Sequence, residues 1–111
     1  MLESLFGNAV IEKVLFSLLI NKNCYGSELK KSLSIPLYSI QNALKRLEKG
    51  GVVVSTQKGK TRIFQFNPRY PFLQELEAFL KKAYSFLPQE IRQKYYETPK
   101  RTRPRRSGKP L

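Results

Sequence analysis

Apolar residues recur with helical spacing near the start of the chain. Val10, Ile11, Val14, Leu15, Leu18 and Leu19 share one face, while Glu12, Lys13 and Ser17 fall toward the other. Asn8 stands just ahead of them as an N-cap, because its side-chain oxygen can accept from N–H groups that a helix start leaves open. The pattern predicts a helix over 8–21 that forms the central strut of a core. Phe16 and Ile20 widen its apolar face and predict contact with something beyond the domain. Leu2, Leu5 and Phe6, in the lead-in 1–7, read as further apolar contacts.

A turn at Asn21-Lys22-Asn23 follows, and Cys24-Tyr25 is expected to pair briefly with a later hairpin. Ser27 to Leu33 forms a short amphipathic helix that buries Leu29 and Leu33. Ser34-Ile35-Pro36 then turns the chain into a longer helix, Leu37 to Lys49. In that helix Ile40, Leu44 and Leu47, spaced i, i+4, i+7, point inward with Ala43 beside them. Gly50-Gly51 ends it, since glycine takes the positive φ a helix C-terminus often needs. Two β-rich runs come next, Val52–Thr56 and Arg62–Phe66, joined by the basic loop Gln57–Thr61. Period-two alternation leaves open whether Phe64 and Phe66 or Ile63 face the core.

Asn67-Pro68 closes the hairpin. A further helix is expected over Phe72–Leu87, with a broad apolar stripe containing Leu73, Leu76, Phe79, Leu80, Ala83, Phe86 and Leu87. A shorter one, Gln89–Tyr96, is expected after Pro88. The fold class is mainly α with a small β-hairpin (α+β). Helix, turn, helix, ribbon is the order of a winged helix-turn-helix.

Charge then narrows the function. The 111 residues hold 21 Lys and Arg against 8 acidic residues, a formal charge of +13. Such an excess suits a polyanion, a nucleic acid before an anionic membrane surface. Residues 1–96 read as one domain with terminal dimerisation helices, and 97–111 as a disordered basic tail. Without the tail the domain keeps 15 basic and 7 acidic residues. Lys22 to Arg62 carries nine basic residues against Glu28 and Glu48, so the charge gathers where a duplex would lie.

The candidate chemistry is therefore contact, not catalysis. A major groove admits one α-helix, and its floor displays a distinct donor and acceptor pattern for each base pair. The outer face of helix 37–49 offers Tyr38, Ser39, Gln41, Asn42, Lys45 and Arg46. Gln41 and Asn42 suit an adenine edge, and Lys45 or Arg46 a guanine or a phosphate. Ser39 and Tyr38, near the helix start, suit phosphates. The wing adds Lys58, Lys60 and Arg62, although lysines at hairpin tips also serve solubility and discourage edge pairing. In the tail, Lys100, Arg101, Arg103, Arg105 and Arg106 are read as a phosphate tether, with a minor-groove arm or RNA contact as alternatives.

One cysteine and no histidine exclude an intrachain disulfide and a Cys/His metal cluster, and remove His-based catalysis. Cys24 reads as a buried structural thiol, with a redox-sensing role as the alternative. No cofactor, metal or enzymatic activity is expected. The longest apolar run, Val14–Ile20, falls well short of a membrane span, and the N-terminus lacks signal-peptide features. A cytoplasmic, nucleoid-associated protein is the expectation.

Three stretches carry a family resemblance: LFGNAVIEKVLFSLL, GSELKKSLSIPLYSIQNALKRLEKGGVV and TQKGKTRIFQFNP. Together they resemble the ArsR-type winged helix-turn-helix transcriptional regulators of bacteria and archaea. The run Leu44-Lys45-Arg46-Leu47-Glu48-Lys49-Gly50-Gly51-Val52-Val53 is similar to the end of that family's recognition helix. The resemblance implies repressors that bind operator DNA as homodimers, through the segments matching 37–49 and 57–62. Ser27 lies at the start of the matching helix-turn-helix and joins the candidate contacts. Dimerisation would use helices 8–21 and 72–87. Metal sensing, which many members perform through Cys, His and Asp, does not carry over to a chain with one Cys and no His or Asp. A protein-interaction or RNA-binding winged helix of a larger assembly is the alternative function.

Overall fold

The computed structural model describes residues 1–97. A single helical turn, α1 (Glu3–Phe6), precedes α2 (Ala9–Asn21), the two-residue strand β1 (Cys24–Tyr25), α3 (Gly26–Leu33) and α4 (Leu37–Lys49). The hairpin β2 (Val53–Lys58) and β3 (Thr61–Phe66) leads to α5 (Leu73–Ser85) and α6 (Gln89–Ile91). A π-helical turn, Arg92–Tyr96, continues α6. The fold is a winged helix-turn-helix: mostly helical, with a three-stranded antiparallel sheet in the order β1-β3-β2.

Local chemistry sets these boundaries. Asn8 Oδ1 accepts from the N–H groups of Val10 at 2.7 Å and Ile11 at 3.3 Å, which caps α2. At the end of α4 the positive φ of +80° falls on Gly51. There the Val52 N–H bonds the Leu47 carbonyl and the Gly51 N–H bonds the Glu48 carbonyl, the paired closure of a Schellman motif. The chain leaves this cap aimed directly into β2.

In the sheet, Cys24 pairs with Phe64 and Tyr25 with Ile63, while β2 and β3 pair from Val53–Phe66 to Lys58–Thr61. Phe64 and Phe66 pack on the core with buried Val53, which decides the facing that alternation had left open. The hairpin is tighter than the expected five-residue loop. Its ladder carries Gln57, Lys58 and Thr61 into the strands and leaves only Gly59 and Lys60 between them. Gly59, at φ +62°, supplies the backbone that a two-residue turn requires.

The core lies where α2, α3 and α4 meet, closed by Val53 on the sheet side and by Leu80 and Ala83 from α5. Here α2 departs from the expected two-faced helix. Glu12 and Ser17 are both buried. The α1 turn folds back over this side, and Glu12 Oε1 accepts the Leu2 N–H at 2.7 Å. Leu5, expected to pack, is instead 66% exposed. Phe16 does not reach beyond the domain: it is 0% exposed, with the Tyr84 and Tyr96 rings each 5.6 Å from its own.

The chain's own C-terminal turn is what covers Phe16. Asn21 Nδ2 donates to the Tyr96 carbonyl at 3.3 Å, and the Tyr84 hydroxyl donates to Glu97 at 2.5 Å. These contacts carry the described fold through Glu97, one residue past the expected domain end. The rest of the basic tail expected over 97–111, positions 98–111, lies outside the described residues.

Candidate nucleic-acid interface

Amphipathicity fixes how α4 presents its polar residues. Ile40, Ala43, Leu44 and Leu47 are buried against the core. Tyr38, Asn42, Lys45 and Lys49, spaced i, i+4, i+7, i+11, consequently run along the opposite side, and all four are exposed. Tyr38 is 75% exposed at the first turn. Gln41 is exposed on the flank toward the sheet, and Arg46 on the other flank with half-buried Ser39. Lys49 was not among the sequence candidates, although the same spacing, extended by one turn, would have found it.

Between this helix and the hairpin runs an open groove of about 620 Å³. Leu37, Leu44 and Phe64 line it with apolar surface. Ser27, Gln41, Lys45, Lys60 and Arg62 line it with groups that can donate to an anion or a base edge. The fold thus brings five of the ten sequence candidates within the domain onto one concave surface, although α3, α4, the hairpin turn and β3 contribute them separately. Tyr25 and Thr61 join them there. Tyr38, Ser39, Asn42 and Arg46 lie elsewhere on α4, and Lys58 lies on β2 beside the hairpin turn.

Helix and hairpin are braced across the groove. Arg62 Nη1 donates to Ser55 Oγ at 2.8 Å, and Ser55 Oγ donates to Glu48 Oε2 at 2.7 Å. Arg62 is therefore more than a free surface cation. It belongs to a chain of polar contacts that holds β2 and β3 against the last turns of α4. Glu48 also places one carboxylate on an otherwise basic wall of the groove.

The start of α4 follows Pro36, and no side chain caps it. Uncapped helical N–H groups and the positive end of the helix dipole together suit a phosphate. Ser27 is exposed in the first turn of the neighbouring helix α3. Cys24 is buried within β1. Among the described residues, no group of three or more His, Cys, Asp or Glu could hold a metal ion. No described helix is long and apolar enough to cross a membrane.

No protein-family model and no curated protein matches the chain. Solved structures do share its fold. It is similar to the adhesin competence repressor AdcR from Streptococcus pyogenes, with a TM-score of 0.55 and 15% identity, over 68% of this chain and 56% of that one. It is also similar to apo ZitR from Lactococcus lactis in a doubly substituted form (0.54, 14%, 83% and 78%). A third is BpsR from Bordetella bronchiseptica, whose DNA binding is regulated by 6-hydroxynicotinic acid (0.53, 14%, 77% and 70%). The chain thus spans little more than half the length of AdcR. At these identities the likeness is one of fold.

Proposed function

We propose that this protein binds double-stranded DNA as a homodimeric transcriptional regulator, acting as a repressor at an operator. The observation that carries this reading is the convergence of Gln41, Lys45, Lys60 and Arg62 on one groove, beside an exposed α4 stripe of Tyr38, Asn42, Lys45 and Lys49. A helix with a polar outer face, backed by a second helix and flanked by a basic hairpin, is what entry into a major groove calls for. AdcR is a repressor and BpsR binds DNA, which is consistent with the same use of the fold. Assignment to the ArsR-type regulators rests on the run Leu44–Val53 and belongs to this proposal.

In this reading α4 enters the major groove. Gln41 and Asn42 meet base edges there, and Lys45 and Arg46 meet guanine or phosphate. Ser27, Tyr38 and Ser39 contact the backbone near the helix start, with Lys58, Lys60 and Arg62 on the flanking phosphates. Arg62 also braces the wing. The basic residues Lys100, Arg101, Arg103, Arg105 and Arg106 act as a tether to neighbouring phosphates, independent of sequence.

A salt titration of duplex binding tests the electrostatic half of this assignment. Each phosphate neutralised contributes a slope of about −0.9 in log K against log salt. Four or five wing and helix cations then give about −4 per subunit, and the full chain a steeper value. Removing residues after Glu97 should lower affinity and flatten the slope while leaving sequence choice unchanged. If sequence choice changed on removal, the tail would be a reader and not a tether. A slope near zero for the full chain would refute phosphate contact by this face.

A further inference from the structure

Glu48 stands where two general rules would exclude a carboxylate. It occupies the last turn of α4, at the negative pole of the helix dipole. It also lines a groove whose other charged residues, Lys45, Lys60 and Arg62, are all cationic, on the face proposed to meet a polyanion. By charge alone it weakens both the helix and the complex. Its contacts give the reason for its presence.

In the hairpin, Val53 pairs with Phe66, Ser55 with Phe64 and Gln57 with Arg62, which puts these side chains on one face of the ribbon. At its base that face is anchored by buried Val53 and half-buried Phe66. Asn67 Nδ2 ties the same end to α4 by donating to the Gly51 carbonyl at 2.9 Å. Toward the tip, apolar anchoring gives way to polar groups. There the Ser55 hydroxyl gives its proton to Glu48 Oε2 at 2.7 Å and accepts from Arg62 Nη1 at 2.8 Å. A hydroxyl can do both at once, whereas a carboxylate only accepts and a guanidinium only donates.

We infer that Glu48 is a positioning residue for DNA binding: through Ser55 it holds Arg62 and the wing where they meet the phosphates, and it strengthens the complex although its own charge opposes it. This rests on the DNA-binding reading above and adds to it a residue that works through Arg62 and not by contact. Arg62 is exposed, with a long side chain rich in rotamers. Held in the free protein, it has little ordering left to lose on binding. Ordering one such side chain otherwise costs about two- to tenfold in affinity.

Binding of the full chain to mixed-sequence duplex DNA, at one fixed low salt, tests this. Glu48→Ala and Ser55→Ala should each lower affinity by about two- to tenfold. The two together should cost no more than either alone, since both cut the same relay. Glu48→Gln keeps an oxygen that accepts from Ser55 and sheds the charge, so it should bind at least as tightly as wild type. In an Arg62→Ala background the sign should reverse: Glu48→Ala then removes only a repelling charge and raises affinity. Without DNA, amide exchange across Ser55–Lys58 should quicken in Glu48→Ala and Ser55→Ala, and not in Glu48→Gln.

Tighter binding by Glu48→Ala in the wild-type background would overturn the inference, as would a loss in Glu48→Gln equal to that in Glu48→Ala. A wild type that binds no duplex would instead overturn the DNA-binding reading. The exchange rates, taken without DNA, would still decide whether Glu48 holds the hairpin, and unchanged rates in Glu48→Ala would overturn that as well.

Discussion

Replacing Phe16 by alanine asks whether the C-terminal turn is part of the folding unit. The Phe16 ring is wholly buried and lies against the Tyr84 and Tyr96 rings, both at 5.6 Å. Truncating a buried phenylalanine costs about 3–5 kcal/mol, because a cavity remains where the ring was. Two aromatic pairs are lost with it, so the upper half of that range is expected. A domain of this length has about 5–14 kcal/mol in total. Phe16→Ala should therefore remove a large share of the stability and lower the melting temperature by about 15–30 °C.

Urea unfolding followed by circular dichroism and tyrosine fluorescence measures this loss. Phe16→Leu, which keeps most of the apolar volume, should cost clearly less than Phe16→Ala. A loss below about 1 kcal/mol for Phe16→Ala would show that the ring is not packed into the folding unit. Were that small loss joined by a change in oligomeric state, Phe16 would belong to an interface after all.

Two more outcomes are expected. Replacing Gln41, Asn42 and Lys45 together by alanine should abolish sequence preference in DNA binding and shift stability by less than about 1 kcal/mol, since all three are exposed; unchanged preference would show that another surface reads the bases. Alkaline pH should unfold the protein, because burial raises the Tyr84 and Tyr96 hydroxyls well above the usual tyrosine value near 10. The unfolded chain loses these protons first, so the stability they contribute is complete below pH 10 and declines as pH rises above it. Ultraviolet titration should then find two of the six tyrosines, Tyr84 and Tyr96, ionising only with unfolding. All six ionising together, with the fold retained, would contradict the buried aromatic cluster.

The helix-turn-helix and wing were legible in the sequence for definite reasons. In α4 a narrow apolar stripe alternates with polar residues, and the Gly50-Gly51 pair marks its end, so spacing alone gave its facing and its stop. The face of α2 was less legible. Glu12 and Ser17 read as solvent-facing because local periodicity cannot register a segment that folds back from far along the chain. Leu2 reaches Glu12 from ten residues away, and Tyr96 reaches Asn21 from 75. The run Val14–Ile20 did carry a signal, since a helix that is apolar nearly all round tends to be buried all round.

The wing shows a different limit. Gln57 and Lys58 read as loop because they are polar, yet backbone pairing extends the ladder to Lys58–Thr61 whatever the side chains. The candidate contacts could be gathered from charge and helical phase. Their division between the groove and the outer stripe could not, because it depends on how the hairpin packs against α4. The Arg62–Ser55–Glu48 brace was likewise hidden, joining three elements through side chains whose identities suggest only surface polarity.

Selection of bound sequences from random duplex DNA, at near-physiological salt and with the full chain, separates base reading by α4 from attachment through charge alone. Base reading by a dimer yields an enriched pseudo-palindrome whose half-sites lie about 10–11 base pairs apart, one α4 helix reading each. No enriched motif, with binding that fades as salt rises, would contradict it and favour a charge-driven RNA-binding or assembly module.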